Sequence, residues 1–232
     1  MHNVPAGRYD KNGAVGFFGR VENATISTVM LYNVSVTVTD DSCLSSYIGT
    51  LVGSVEGSSN IRYSMVINAT VTATENGNYG WLAQGRTSVS GFIGGTYTQN
   101  DTRPMINDCG VQNVNVNFTL TNDSPQAVTI GGLIGDTTGG VFVSHSYFHG
   151  SLSMFGSSAY NVGIGGIIGG LYYGGDVPTI SGCFSYITNV YRTTNYSYSL
   201  SIDPIFAGGL GLSHGYVAYF YATELNTNCY NN

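Results

Sequence analysis

Gly131-Gly132-Leu133-Ile134-Gly135 sets an apolar pair between glycines, and this short phrase decides the fold because the chain keeps returning to it. The pair-plus-glycine recurs as Phe17-Phe18-Gly19, Leu51-Val52-Gly53, Phe92-Ile93-Gly94 and Ile167-Ile168-Gly169, with a degenerate copy at Gly208-Gly209-Leu210-Gly211. The closing glycines are 34, 41, 41, 34 and 42 residues apart. A near-constant step with occasional additions is the mark of a structural repeat that accepts loop insertions. Internal repetition of this length means units that cannot bury an apolar face alone and must stack.

The second half of each unit repeats as well. Leu31 to Val38, Met65 to Ala73, Val111 to Leu120, Tyr147 to Met154 and Phe184 to Tyr191 alternate apolar with polar residues. Val34, Val36 and Val38, for example, alternate with Ser35, Thr37 and Thr39. Period two over six to eight residues reads as a half-buried strand. Between the two halves, Pro104 to Cys109 lines up with Pro178 to Cys183. In the shorter units Ile26, Ile61 and Val143 fall at the Ile position, and Val29, Ser64 and Ser146 at the Cys position. That column of Val, Ser, Cys, Ser and Cys predicts an inward site where space is short, with cysteine as a small buried filler.

These patterns predict an all-β, single-domain parallel β-helix of about six rungs, each of 34–42 residues. Residues 1–15 would form a lead-in and 16–232 the solenoid, a piece of a longer repeat protein. Like strands pair about 4.8 Å apart, and the glycines are expected at corners, where they accept positive φ. The longer units place insertions at Thr96 to Arg103 and Leu171 to Val177, on one corner two rungs apart.

Composition agrees. The 232 residues include 33 Gly, 21 Asn, 24 Ser and 23 Thr, with one lysine, Lys11. Charged residues are 9%, too few for exposed helices, while 42% hydrophobic content is too high for disorder. A net charge of −6 with seven scattered cations excludes a nucleic-acid surface. No apolar run is long enough to insert in a membrane.

The Gly131 to Gly135 core, Gly166 to Gly169 and Ile180 to Ser185 resemble the GLUG repeat, a family of large surface and secreted proteins, commonly adhesins. The resemblance implies a right-handed parallel β-helix, a secreted or cell-surface location and an adhesive or structural role without catalysis.

Chemistry is sparse. An enzyme would gather carboxylates on one face, whereas the acids here are dispersed, with Asp136 and Asp176 as one pair that adjacent units could bring together. His145 and His149, four apart on one strand, would lie too far apart for a two-ligand metal site. Gly163 to Gly166 lacks the Lys-Ser/Thr of a phosphate loop, and Asp40-Asp41 falls short of a calcium loop. The residues call for no metal and no cofactor. Acceptor sequences for N-glycosylation occur at Asn23, Asn33, Asn68, Asn100, Asn117, Asn122 and Asn195. Asn33, Asn68 and Asn117 are read as one column, either glycosylated or forming an asparagine ladder. Tyrosines crowd the C-terminal third, and Tyr172, Tyr173 and Tyr196, together with Tyr97, are the expected binding surface.

Two functions therefore stand: a non-catalytic extracellular repeat module, or a β-helix with an aromatic groove that binds or degrades glycans. In the first, other copies or further repeats continue the stack at its ends, since a terminal rung leaves strand edges unpaired. Cys109 and Cys183, two rungs and about 9.6 Å apart, are out of disulfide reach. Cys43 and Cys229, at opposite ends, could pair only between chains.

Overall fold

A computed structural model of the protein describes residues 13–40, 45–76, 86–98, 102–122, 124–157, 159–172, 178–192, 199–203, 217–222 and 227–229. Among them there is no helix, and every strand pairing is parallel. The chain winds through three sheets. The first stacks Gly13–Val15, Ser45–Ile48, Arg86–Ser90, Ser124–Gly131, Ala159–Gly165 and Ser199–Asp203. The second stacks Phe18–Glu22, Val52–Glu56, Ile93–Tyr97, Ile134–Thr138 and the two-residue Leu171–Tyr172. The third holds the long strands Met65–Glu75, Gly110–Leu120, Tyr147–Gly156 and Thr179–Arg192, with shorter partners. The result is a β-solenoid of about four full turns, beyond which the second sheet thins to Leu171–Tyr172.

Both columns seen in the sequence form. Ile26, Ile61, Ile106, Val143 and Ile180 pair rung to rung, all buried. The glycines at 19, 53, 94, 135 and 169 also share one column, but for a different reason from the one expected. None of the five takes positive φ. Those at 53, 94, 135 and 169 lie where the backbone of neighbouring strands comes too close for a side chain: a Cβ on Gly94 would stand 2.4 Å from the Ile48 nitrogen and 2.5 Å from the Gly53 carbonyl oxygen. One on Gly135 would stand 2.6 Å from the Gly94 oxygen, and one on Gly169 2.6 Å from the Gly135 oxygen. Close approach, not corner conformation, demands glycine here.

The left-handed corners belong mostly to other residues. Thr28, Tyr63, Asp108, His145 and Gly182 occupy one corner in successive turns, with φ of 60°, 50°, 52°, 47° and 60°. Each precedes the column Val29, Ser64, Cys109, Ser146 and Cys183, which explains the polar members of that column. The Val29 amide donates to Ser64 Oγ at 3.2 Å and the Cys109 amide to Ser146 Oγ at 3.1 Å. Each serine hydroxyl donates back to the carbonyl two residues earlier, at 2.9 Å for Ser64 and 2.8 Å for Ser146. The cysteines continue this pattern: Cys109 Sγ lies 3.2 Å from the Asn107 oxygen and Cys183 Sγ 3.4 Å from that of Ser181. A left-handed L-residue costs about 1–2 kcal/mol, and the bonds made by the small residue after it offset that cost. Cys109 and Cys183 are free and buried.

His145 is thus a corner residue, so it does not share a strand face with His149. A second left-handed column is Asn33, Asn68 and Asn113, with φ of 55°, 54° and 54°. This corrects the sequence alignment: Asn117 pairs with Thr72, not with Asn68. The extra residue at each asparagine forms a bulge that the next turn lacks, where His149 and Gly150 face Gln112 and Val114. Both insertions, Thr96 to Arg103 and Leu171 to Val177, join the second sheet to the third, and their central residues, 99–101 and 173–177, lie outside the described set.

Candidate functional site

Alternation along the third sheet buries Val111, Val114, Val116, Phe118 and Leu120 and turns their neighbours outward. Because the asparagine bulge reverses nothing on its inner side yet adds a residue outside, it divides the outer face into two halves of different chemistry.

The half before the bulge is mostly apolar, interrupted at Gly110 and Gln112. One axial column reads Met30, Met65, Gly110, Tyr147 and Phe184, and the next reads Tyr32, Ile67, Gln112, His149 and Tyr186. Solvent reaches 65% of Met30, 60% of Tyr32, 45% of Phe184 and 37% of Tyr186. Tyr147 and Phe184 stack with centroids 5.1 Å apart and planes 4° from parallel, and His149 and Tyr186 at 5.2 Å and 19°. Gly110 makes room for this ridge: a Cβ there would fall 2.5 Å from Tyr147 Cε1. Burial of that ring against the strand pushes the Tyr147 phenol up.

The half after the bulge is hydroxyl and amide. Its columns read Ser35, Thr70, Asn115, Ser151 and Asn189, then Thr37, Thr72, Asn117 and Ser153. Ser151 Oγ donates to Asn115 Oδ1 at 2.6 Å, while Thr37, Thr70, Thr72 and Asn117 spend no side-chain hydrogen bond among the described residues. Along the seam, Asn113 Nδ2 donates to Asn68 Oδ1 at 3.2 Å, the ladder that parallel stacking favours. None of these outward columns carries a charged residue.

A second polar cluster is closed to solvent. Arg86, at the start of its first-sheet strand, has Nη1 2.8 Å from Asp136 Oδ2, and both side chains are buried. Arg86 also donates to the hydroxyls of Tyr47, Tyr97 and Thr138 (2.7, 2.7 and 2.6 Å) and lies over both tyrosine rings. Burial raises the Asp136 carboxyl to about 6, against the lowering effects of the Arg86 guanidinium and the Thr137 amide. The sequence offers Asp136 as one of a pair with Asp176 that adjacent units could bring together. It sits instead inside strand Ile134–Thr138 with an arginine partner, and Asp176 lies outside the described residues. Glu75 is likewise buried and accepts from Thr87 Oγ1. The Arg86 cluster ties the first two sheets together, and Glu75 ties the third to the first.

The other sequence candidates scatter. Tyr97 turns its hydroxyl into the Arg86 cluster rather than outward. Tyr172 ends a strand aligned with Thr138, and Tyr173 and Tyr196 lie outside the described residues. Asn23 is exposed, its Oδ1 accepting from the Ser58 amide and hydroxyl (3.0 and 3.1 Å), and Asn33 is exposed at its bulge. Asn122 Nδ2 donates to Asn76 Oδ1, whereas Asn100, Asn195 and Cys43 are outside the described set, as is the Cys229 side chain. No group of three or more His, Cys, Asp or Glu that could hold a metal occurs among the described residues. The ridge itself escaped the sequence reading, although the alignment that sets Ser146 over Cys183 also sets Tyr147 over Phe184. Comparison with protein-family models, curated proteins and solved structures finds no match to this chain.

Proposed function

We propose that the protein is a non-catalytic structural or adhesive repeat module of an extracellular, cell-surface protein or filament, related to the GLUG repeat and making its contacts through the outer face of the third sheet. The observation that carries this reading is the apolar ridge: a monomer gains nothing from leaving Met30, Tyr32, Phe184 and Tyr186 in water, and patches of this kind mark interaction sites. Six strands in the first sheet support the six-rung count, and a right-handed coil is the expected hand. The half-buried Val15, Leu31, Val34, Val36 and Val38 of the first turn support a stack that another chain or repeat continues. Asn23, whose side-chain Nδ2 has no partner among the described residues, is a fitting place for an N-glycan.

A glycan-degrading enzyme is the less favoured reading, because Asp136 and Glu75 are spent inside the molecule. The test is adhesion of the fluorescently labelled chain to intact cells, with Phe184→Ser and Tyr186→Ser together as the comparison. Binding by the parent that the double variant loses is the expected result. Equal binding by both refutes the face, and no binding to any cell type refutes the adhesive role.

A further inference from the structure

We infer that the ligand of this outer face is a neutral, extended polysaccharide lying along the solenoid axis, across the rungs; the inference rests on the adhesive reading above. The face joins an apolar ridge to a field of uncharged hydroxyls and amides with the asparagine ladder between them. A sugar ring has the same division, with C–H groups on its faces and hydroxyls around its rim. Other ligands fit one half only. Nucleic acid and anionic lipid need cations, and the four columns of this face have none, Arg62 lying beyond the left-handed corner at Tyr63. An added β-strand needs a free sheet edge, whereas the strands Met65–Glu75, Gly110–Leu120 and Tyr147–Gly156 that carry the middle of this face are paired on both sides. A lipid surface would match the ridge but would strand Thr70, Thr72 and Asn117 without water.

Spacing supports the axial direction. Hydroxyl and amide side chains recur at each rung of the polar half, about 4.8 Å apart, and the two ring stacks between the Tyr147 and Phe184 rungs are spaced at 5.1 and 5.2 Å. Sugars along an extended chain recur at a similar interval. In this arrangement Tyr147, Phe184 and Tyr186 pack the C–H faces, while Thr70, Thr72 and Asn117 bond the rim hydroxyls.

The test is native affinity electrophoresis of the full chain through gels holding hydroxyethylcellulose, xyloglucan or galactomannan, with heparin and alginate as charged comparisons. Retardation is expected in at least one neutral gel, and Phe184→Ser should raise the apparent Kd about ten-fold. Thr72→Arg, which keeps the ridge and plants a charge in the hydroxyl field, should weaken retardation too, so a misfolded ridge variant does not decide the matter. Phe17→Ser, exposed on the second-sheet side, should leave it unchanged. Retardation by the charged polymers alone, by none, or with no loss in either face variant overturns the inference. Periodate oxidation of cell-surface glycans separates the two claims. Adhesion that survives it keeps the adhesive reading and rejects the polysaccharide, whereas a chain that adheres to nothing rejects the reading itself.

Discussion

Replacing Gly94 by alanine places a methyl group 2.4 Å from the Ile48 nitrogen, 2.5 Å from the Gly53 oxygen and 2.6 Å from the Tyr47 carbonyl carbon. All three are backbone atoms of paired strands, so no side chain can swing aside and the first two sheets must part. Forcing one methylene into a packed interior costs about 1–3 kcal/mol, and here two walls resist at once. Loss of glycine's freedom in the unfolded chain returns about 0.4–1 kcal/mol. Taking the upper figure of about 3 kcal/mol for two resisting walls, the net is a destabilisation of about 2–2.6 kcal/mol, large beside a typical total of about 5–15 kcal/mol. Gly19 in the same column supplies the control, because its Cβ would meet only the Ala14 oxygen at 3.4 Å, an ordinary contact. Far-UV circular dichroism during urea unfolding should show the midpoint of Gly94→Ala falling by about 1 M and that of Gly19→Ala unchanged or slightly raised. If both variants behave alike, close approach of the sheets is not what the glycine column is for.

Four further outcomes follow from the buried groups and the bulge. Arg86→Leu strands the Asp136 carboxylate and should cost about 3–5 kcal/mol, much of it recovered when Asp136→Leu is added; no recovery would refute the pairing. Burial raises Asp136 above its unfolded value, so the folded chain holds that proton more tightly. Its contribution is full below about pH 4 and is lost as pH rises through about 6, on the order of 3 kcal/mol. Urea midpoints across that window should fall more steeply for the parent than for Asp136→Asn. Burial also pushes the Cys109 thiol up to about 12 and raises that of Cys183. Peptide mapping after alkylation should find both unmodified in the native chain and modified in urea, and rapid native labelling would contradict their burial. At the bulge, Asn113→Gly should be nearly neutral and Asn113→Val should lose about 1–2 kcal/mol, as read from thermal midpoints; equal effects would mean that positive φ is not the constraint.

What the sequence made legible depended on how local the signal was. The Ile and Gly columns could be read because stacking repeats one environment at each rung, so a residue type recurs wherever the environment is demanding. The reason for glycine could not be read, since close approach between Gly94 and Ile48 is set by a strand from another part of the turn. Asn117 was misplaced because Asn113, which has no acceptor sequence, holds the bulge, and only the pairing register shows which asparagine carries the extra residue. The Arg86–Asp136 pair was hidden for a similar reason: its members come from different turns and different sheets, and a lone aspartate after a glycine-rich phrase reads as a loop. The ridge was partly visible as an excess of tyrosine, but the residues that form it share a column with methionine and glycine rather than with one another in sequence.

The in-register parallel stack is the claim on which the columns, the ridge and the ligand all depend, and cysteine pairs report it directly. Thr72→Cys with Asn117→Cys joins residues paired across adjacent rungs, about 4.8 Å apart and within disulfide reach. Thr72→Cys with Thr119→Cys shifts one partner by two residues along the strand, to about 8 Å, beyond that reach. Mild oxidation of the folded chain, read by mass spectrometry of the cross-linked peptides, should bridge the first pair and leave the second as free thiols. Bridging of the shifted pair in preference to the aligned one would contradict the register, and with it the solenoid described here.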